Sequence, residues 1–248
     1  MKTYVVNMTK DTEKRAQIES QLANHTELEY QIWKAVEGRK LTVQEQKEMI
    51  HPEFYERYGR TATLPVAGCS LSHLSIYRDI LESQENVVLI LEDDAVILPR
   101  EQFDITKLKK IIDSENPMAL LLTSDFWYYK DNCKKVVDSF HRIYEIESGY
   151  MTSGYLINRA AAKILATNLL PIKYKADEWE IFIGMGIEVL GIVPHVISFP
   201  DGVGEIGKST EFERQFALLR KIAIFFYVRL LWSKKYLSGL RISKKRWK

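Results

Sequence analysis

An apolar run that ends in three consecutive carboxylates is the strongest constraint on the fold of this 248-residue chain. Residues 87–91 read VVLIL, and Glu92, Asp93 and Asp94 follow directly. A continuous apolar run predicts a strand buried on both faces, as in a parallel sheet covered by helices. The carboxylates are therefore predicted at the carboxyl end of a central strand, the edge of an α/β sheet where ligands gather.

Strand and helix patterns alternate along most of the chain. This order predicts an α/β protein with a mostly parallel sheet flanked by helices. Strands are predicted at 3–8, 29–36, 86–98, 118–123, 142–147, 150–158 and 187–199. Helices are predicted at 13–22, at 42–49, from Ser70 or Ser72 onward, at 103–113 and at 159–168. The stretch 51–67 is expected to be an irregular loop that faces a substrate, or a plain connector.

The charge is divided unevenly between residues 1–207 and residues 208–248. The second segment holds 12 of the 35 basic residues and 2 of the 33 acidic ones. We therefore expect one catalytic domain at 1–207 and a basic amphipathic helical tail at 208–248. The apolar part of the tail is too short to span a bilayer and suits an anionic membrane surface instead. Packing on the catalytic domain, homodimerisation and binding to nucleic acid are the alternatives, and no recognisable nucleic-acid-binding module supports the last.

The cysteines and the N-terminus indicate the compartment. Cys69 and Cys133 are the two cysteines, and without CxxC spacing they indicate neither a disulfide framework nor a zinc site. The opening residues have no apolar stretch of signal-peptide length. The expected location is cytoplasmic, peripheral on the inner face of the membrane.

The mutual repulsion of three adjacent carboxylates must be offset, because like charges repel strongly at low dielectric. A divalent cation or a shared proton offsets this repulsion, and Mn²⁺ and Mg²⁺ prefer such oxygen ligands. Strand alternation places Asp93 on the face of Leu91, and Glu92 and Asp94 on the other. Asp94 is the first candidate metal ligand and Glu92 is a further one. Asp93 is instead a candidate for binding the ribose or sugar hydroxyls of a ligand. The alternative is that the acids cap the next segment and face water.

Several segments together resemble glycosyltransferase family 25, the lipooligosaccharide galactosyltransferase family. They are YVVNMTKDTEKRAQIESQL at the start, AVEG at 35–38, GCSLSH at 68–73, LILEDDAV around the acidic strand end, and the later SGYLINRAAAKIL and KADEWEIF. The sequence departs from the family at Glu37, where Asp is frequent, and at 175–177, where Lys-Ala-Asp replaces Pro-Val-Asp. The resemblance implies a GT-A type fold, a nucleotide-sugar donor that is usually UDP-galactose, a divalent metal, and inversion at the anomeric carbon.

The resemblance also assigns roles to residues in the first and last matching segments. Asp177 and Glu178 lie in the segment that matches the second acidic site and are the candidates for the base that deprotonates an oligosaccharide or lipid-linked glycan acceptor. An ordinary helix N-terminus is their alternative. Asn7 and Arg15 lie in the matching opening segment and are expected at the nucleotide, although Arg15 also suits a solvated helix surface.

The middle segments supply the remaining candidates. By resemblance, Ser72 and His73 belong to the donor pocket, with a capping serine beside a core histidine as the alternative. Ser153 and Tyr155 are expected to border the sugar, unless Tyr155 only packs the strand. His195 is a candidate late metal ligand, although its apolar surroundings equally suit a core histidine.

The sequence also leaves functions other than sugar transfer open. A catalytically silent protein that binds a nucleotide sugar or a glycan and organises partners at the membrane is the main alternative. A pyrophosphorylase would require a glycine-rich phosphate loop near the first strand, and residues 6–12 contain no glycine. A serine hydrolase is disfavoured because Ser72 and His73 are adjacent on a helix and no GxSxG motif is present.

Overall fold

The structure, a computed structural model, describes residues 1–99 and 103–199, together with the backbone of 240–243. The strands are β1 (Lys2–Asn7), β2 (Glu29–Lys34), β3 (Val87–Glu92), β4 (Val96–Ile97), β5 (Met118–Leu121), β6 (Phe126–Val136), β7 (Arg142–Gly149), β8 (Gly154–Asn158), β9 (Glu188–Val193), β10 (Ile197–Ser198) and β11 (Leu240–Ser243). The helices are α1 (Thr12–Leu22), α2 (Val43–Met49), α3 (Pro52–Tyr58), α4 (Leu64–Glu82), α5 (Ile105–Ile112), α6 (Arg159–Asn168) and α7 (Trp179–Gly184). Short 3-10 turns lie at Gly38–Lys40 and Gly59–Thr61.

One mixed sheet organises the described part of the chain, in the order β11-β6-β7-β9-β5-β8-β3-β1-β2. Strands β1, β2, β3, β5, β6 and β9 run in one direction, and β7, β8 and β11 run in the other. A separate pair, β4 with β10, follows the acidic strand end. The predicted α/β class with a mostly parallel sheet is confirmed in that six of the nine described strands run in one direction, although five of the eight neighbouring pairs are antiparallel. The arrangement agrees with the GT-A type fold that the resemblance implied.

Two hydrophobic cores cover the two faces of the sheet. On one face, Ile90 of β3 and Tyr155 of β8 lie in the core that contains buried residues of α4, α6 and α7. On the other face, Leu89 and Leu91 of β3 lie in the core that contains buried residues of α1 and α5. All five apolar residues that precede Glu92 are buried, which explains why their pattern is continuous rather than alternating.

The stretch 51–67 is mostly helical, so the predicted irregular loop is wrong. His51 caps α3 by accepting a hydrogen bond from the amide of Glu53, and Pro52 occupies the first turn, where its missing N–H costs nothing. Helix α4 begins at Leu64, capped by the side chain of Thr63, and not at Ser70 or Ser72. The long strand β6 was not predicted, because most of its side chains are exposed and its sequence does not alternate.

The predicted helical tail at 208–248 lies largely outside the described residues. Of this segment, only the backbone of Leu240–Ser243 is described, and it pairs antiparallel with β6 as strand β11. Among the described helices, none combines the length and the apolar character that crossing a bilayer requires. The predicted helix is therefore wrong at 240–243, whereas the lipid-binding role of the tail stays a prediction.

A close backbone contact fixes α4 against the segment that follows β2. A Cβ atom on Gly68 would lie 2.5 Å from the carbonyl oxygen of Val36 and 2.7 Å from the amide nitrogen of Gly38. The Ser72 hydroxyl bridges the same two segments, accepting from the Val36 amide at 2.8 Å and donating to the Gly68 carbonyl at 2.7 Å. The AVEG and GCSLSH segments thus pack on each other and position the helix that carries Cys69 and His73.

We expect Gly68→Ala to lower the free energy of unfolding by about 1–3 kcal/mol, because the added methyl group meets backbone atoms that cannot move aside cheaply. Gly184→Ala is the matched control, since Gly184 also lies in a helix but a Cβ there would meet nothing within 4 Å. Urea unfolding of the two variants measures the difference, and equal stabilities would contradict the close packing of α4.

Candidate active site

The acidic triplet lies where β3 emerges between β1 and β8. The amide of Glu92 donates to the carbonyl of Ser153 at 3.1 Å, and the amide of Asp93 donates to the carbonyl of Val6 at 3.1 Å. Asp93 and Asp94 form the turn that follows the strand. The three carboxylates therefore stand at the carboxyl end of the central strand, as the sequence predicted.

Asp93 is held by residues of the opening segment. Its Oδ2 accepts a hydrogen bond from Asn7 Nδ2 at 2.8 Å, and Lys14 Nζ lies 3.4 Å from its Oδ1. Burial raises the pKa of Asp93, and although Asn7 and Lys14 oppose the rise, the pKa remains above its usual value. Asn7, at the end of β1, thus reaches the acidic site, and its expected contact with the nucleotide stays a prediction.

Asp94 is the least satisfied of the three carboxylates. Its Oδ1 is buried and has no hydrogen-bond partner, and its Oδ2 lies 3.9 Å from Lys14 Nζ. Burial, followed by the negative charge of Glu92, raises the pKa of Asp94 to about 6. A buried carboxylate oxygen without a donor is a costly arrangement, and one that a bound cation relieves.

Glu92 faces the opposite side of the sheet from Asp93. The Thr152 hydroxyl donates to Glu92 Oε1, and His73 Nε2 lies 3.5 Å from the same oxygen. Burial raises the pKa of Glu92, but His73 and Thr152 outweigh this effect, and the pKa lies below its usual value. His73 is 1% exposed, and its Nδ1 is 2.8 Å from the hydroxyl of Tyr155.

Cys69 lies one helical turn before His73 and completes a cluster with it and Glu92. One ligand atom from each of the three residues can be chosen so that all lie within 4.8 Å of one another. Burial raises the pKa of this thiol, and the charges of Glu92, Asp177 and Asp94 raise it further. The cysteine thus lies amid carboxylates from both acidic segments.

Asp177 and Glu178 precede α7 and point to different neighbours. Asp177 Oδ2 accepts from the amide of Met151 at 3.5 Å, next to the loop that carries Thr152. Glu178 has the Tyr58 hydroxyl as a hydrogen-bond partner, and burial raises its pKa despite this bond. Asp177 is therefore the member of the pair that lies on the side of the acidic strand end.

A surface pocket of about 550 Å³ opens beside the carboxyl ends of β1 and β2. It contains both predicted nucleotide residues, Asn7 and Arg15, although Arg15 also pairs with Glu19 at 3.1 Å. The complete lining is Asn7, Thr9, Arg15, Glu19, Tyr30, Ile32 and Lys34. The lining offers an aromatic ring and two cations, which suit a base and phosphates.

The remaining predicted residues differ in how they relate to the acidic site. Ser72 is fully buried, and its hydroxyl is engaged by backbone groups at the α4 contact described above. Ser153 is 2% exposed and supports Glu92 through its carbonyl. Tyr155 is buried and contacts both His73 and the ring of Trp179. His195 is buried two residues before β10, the strand that pairs with β4 shortly after Asp94.

Sequence reasoning missed several polar residues at this edge of the sheet. The hydroxyls of Thr123 and Ser124 are buried without a hydrogen-bond partner, directly beyond the end of β5. The amide of Leu122 donates to the carbonyl of Gly154, so this end of β5 lies beside the start of β8. The signal was present, because Thr-Ser follows an apolar run at 118–122 just as the carboxylates follow 87–91. Lys14 was missed because Asp93 and Asp94 are distant from it in sequence, and Cys69 was missed because Glu92, the third member of its cluster, lies on another element.

Comparison with known proteins agrees with this arrangement. The model of Glycosyltransferase family 25 (LPS biosynthesis protein) matches residues 1–179. A human protein named procollagen galactosyltransferase 2 is 25% identical over 183 residues, and a Drosophila melanogaster glycosyltransferase 25 family member is 26% identical over 186. Each match covers 71% of this chain but 29% of the relative, so the chain spans less than a third of their length.

A solved structure is also similar to this chain at low identity. The galactosyltransferase LgtC, in complex with donor and acceptor sugar analogues, is 13% identical with a TM-score of 0.37. The match covers 76% of this chain and 73% of that one. The family model matches well over half of the chain and includes the acidic strand end, GCSLSH and Asp177. The chain therefore belongs to glycosyltransferase family 25.

Proposed function

We propose that this chain transfers a hexose from a nucleotide sugar to a hydroxyl of a glycan, with inversion at the anomeric carbon. UDP-galactose is the first donor to test, because the human relative is named a galactosyltransferase. One observation carries the proposal: the partnerless buried oxygen of Asp94 stands beside two further carboxylates at the carboxyl end of β3. Such a site fits a diphosphate that is held through a cation.

The residues at Asp94 fit a hard divalent cation, Mn²⁺ or Mg²⁺. The free ligand atom is a carboxylate oxygen, which is the donor type that these ions prefer. Glu92 and His195 are the further proposed ligands, the first as a neighbouring carboxylate and the second from the segment before β10. When bound, the ion supplies Lewis-acid stabilisation of the negative charge on the leaving diphosphate.

The protein's own residues hold the donor beside this position. The pocket at β1 and β2 receives the nucleoside, where Tyr30 offers its ring to the base and Arg15 and Lys34 offer positive charge to phosphates. Asn7 and Lys14 fix the Asp93 carboxylate, which then accepts hydrogen bonds from ribose or sugar hydroxyls. A donor held in a fixed position has already lost translational and rotational entropy, so this loss no longer adds to the barrier of the transfer step.

Asp177 is the proposed base. It takes the proton from the acceptor hydroxyl at a carboxylate oxygen while the acceptor oxygen bonds to the anomeric carbon and the bond to the diphosphate oxygen breaks. The amide of Met151 orients this carboxylate. Glu178 is less suited to the role because its carboxylate is engaged by the Tyr58 hydroxyl, on the side of α3.

We also propose that the acceptor is an oligosaccharide or a lipid-linked glycan, and that the enzyme works at the inner face of the membrane. The charge of the segment 208–248 supports this location, since it holds ten more basic than acidic residues. Anionic lipid attracts such segments by about 1 kcal/mol for each basic residue near the surface. The same segment is the proposed contact if the protein forms a homodimer.

Mn²⁺ together with UDP is expected to raise the melting temperature more at pH 7.5 than at pH 5. The pKa of Asp94 lies at about 6 without a metal, so the carboxyl is largely protonated at pH 5, and a proton must leave before a cation binds. At a hundredfold excess over the dissociation constant, the gain is about 2.7 kcal/mol, or about 5–10 °C. Asp94→Asn should abolish this rise in melting temperature, whereas the control Asp131→Asn, at an exposed residue, should retain it. Equal Mn²⁺ shifts in Asp94→Asn and the unmodified protein would contradict the assignment.

Asp177→Asn is expected to lower kcat for transfer from UDP-galactose by about 10²–10⁴-fold, because the acceptor hydroxyl loses its base. Donor affinity should be retained, and Glu178→Gln should change kcat by less than about tenfold. UDP release with a panel of glycan acceptors measures the rates. If the unmodified protein binds UDP-sugars but turns none over with any acceptor, the silent binding protein becomes the better account.

Reversing two charges of the tail, Lys244→Glu with Lys245→Glu, is expected to weaken binding to phosphatidylserine vesicles by at least about 2 kcal/mol, or roughly thirtyfold. The control reverses Lys107 and Lys110, two exposed lysines of α5. Vesicle co-sedimentation measures both variants. Unchanged binding in the tail variant would remove the membrane proposal.

A further inference from the structure

We propose that Cys69, His73 and Glu92 form a second cation site, selective for a borderline transition metal such as Zn²⁺. Cys69 and His73 are four residues apart on α4, so their side chains share one face of the helix, and Glu92 reaches them from the end of β3. Their ligand atoms can all lie within 4.8 Å of one another. Two ligands of a tetrahedral zinc ion lie roughly 3–4 Å apart, so a small rotation of the side chains completes the geometry.

The hydrogen bonds around His73 occupy Nδ1 and leave Nε2 available to bind a metal. Nδ1 lies 2.8 Å from the Tyr155 hydroxyl, which itself lies 2.8 Å from the hydroxyl of Tyr77. Nε2 is buried, has no hydrogen-bond partner, and lies 3.5 Å from Glu92 Oε1. Metal-binding histidines generally have their second ring nitrogen fixed by such a bond. The pair of tyrosines therefore orients the imidazole with Nε2 directed at the carboxylate.

The surroundings of the other two ligands, Glu92 and Cys69, also favour a bound cation. The Thr152 hydroxyl orients the Glu92 carboxylate. Cys69 is a free cysteine, and the residue is partly exposed. The nearby carboxylates, including Asp177, make its surroundings negative, and a divalent ion offsets this charge as the thiol releases its proton.

This cluster neighbours the oxygen site at Asp94 but differs from it in chemistry. Asp93 and Asp94 face Lys14, whereas Glu92 faces His73 on the other side of β3. A thiolate and an imidazole favour zinc or cobalt over magnesium. Three protein ligands leave the fourth tetrahedral position open to water. The two sites share Glu92 as a candidate ligand, but Cys69 and His73 belong to this cluster alone. A missing thiolate signal and a missing Mn²⁺ effect at Asp94 are therefore separate results, and each proposal can fail without the other.

Cobalt titration of the metal-free, reduced full-length protein tests the site directly. Co²⁺ bound to a thiolate produces a charge-transfer absorption in the near ultraviolet, which an oxygen site does not give. We expect this band in the unmodified protein and in Cys133→Ser, and its loss in Cys69→Ser and on addition of Zn²⁺. Tyr155→Phe should keep the band but weaken Co²⁺ affinity by about 10–100-fold, because the imidazole loses its orienting partner.

A second measurement uses the unmodified protein, so it tests the site even if the Cys69→Ser variant does not fold. Zn²⁺ should slow alkylation of Cys69 at least about tenfold, as read by mass spectrometry, while the exposed Cys133 in the same sample reacts unchanged. Mg²⁺ should protect neither cysteine. The proposal is overturned if the unmodified protein shows no charge-transfer band, if the band survives Cys69→Ser, or if Zn²⁺ leaves alkylation of Cys69 unchanged.

Discussion

The structure depends on how three adjacent carboxylates are accommodated at the end of a strand that is buried on both faces. Each acid is treated differently. On one side of the sheet, Asp93 accepts a hydrogen bond from Asn7 and lies beside Lys14, and on the other side Glu92 contacts His73 and Thr152. Asp94 retains an oxygen without a partner and a raised pKa. The unrelieved repulsion is thus concentrated at one residue.

The packing of distant segments follows from the same requirement. His73 can reach Glu92 only because α4 lies close to the sheet, and that approach relies on Gly68 meeting the backbone of the AVEG segment without a side chain between them. The Tyr155 hydroxyl then ties β8 to the imidazole, and its ring packs on Trp179, two residues after Asp177. Both acidic segments are therefore brought to one edge of the sheet by a continuous set of buried contacts.

Much of this could be predicted from the sequence, because burial leaves a periodic signal. The apolar run before Glu92 identified the central strand, and alternation correctly separated Asp93 from Glu92. Alternation wrongly grouped Asp94 with Glu92, because Asp94 lies in the turn after the strand, beside Lys14. Other features carry no such signal. Strand β6 is mostly exposed, α3 is short and starts at a proline, and the hydroxyl of Ser72 is directed at backbone that is distant in sequence. The cluster at Cys69 was not predicted. Two of its members lie one helical turn apart on α4, and the third, Glu92, lies on β3, so no sequence spacing connects all three.

The central claim is that the carboxylates closing β3 hold the cation that binds the donor's diphosphate. Anomalous diffraction from crystals grown with Mn²⁺ and UDP tests it most directly, since manganese can be located independently of the surrounding protein. The account predicts a manganese peak about 2 Å from an Asp94 carboxylate oxygen, in contact with the diphosphate. A manganese ion bound to the diphosphate elsewhere, with the Asp94 carboxylate directed into solvent, would contradict it.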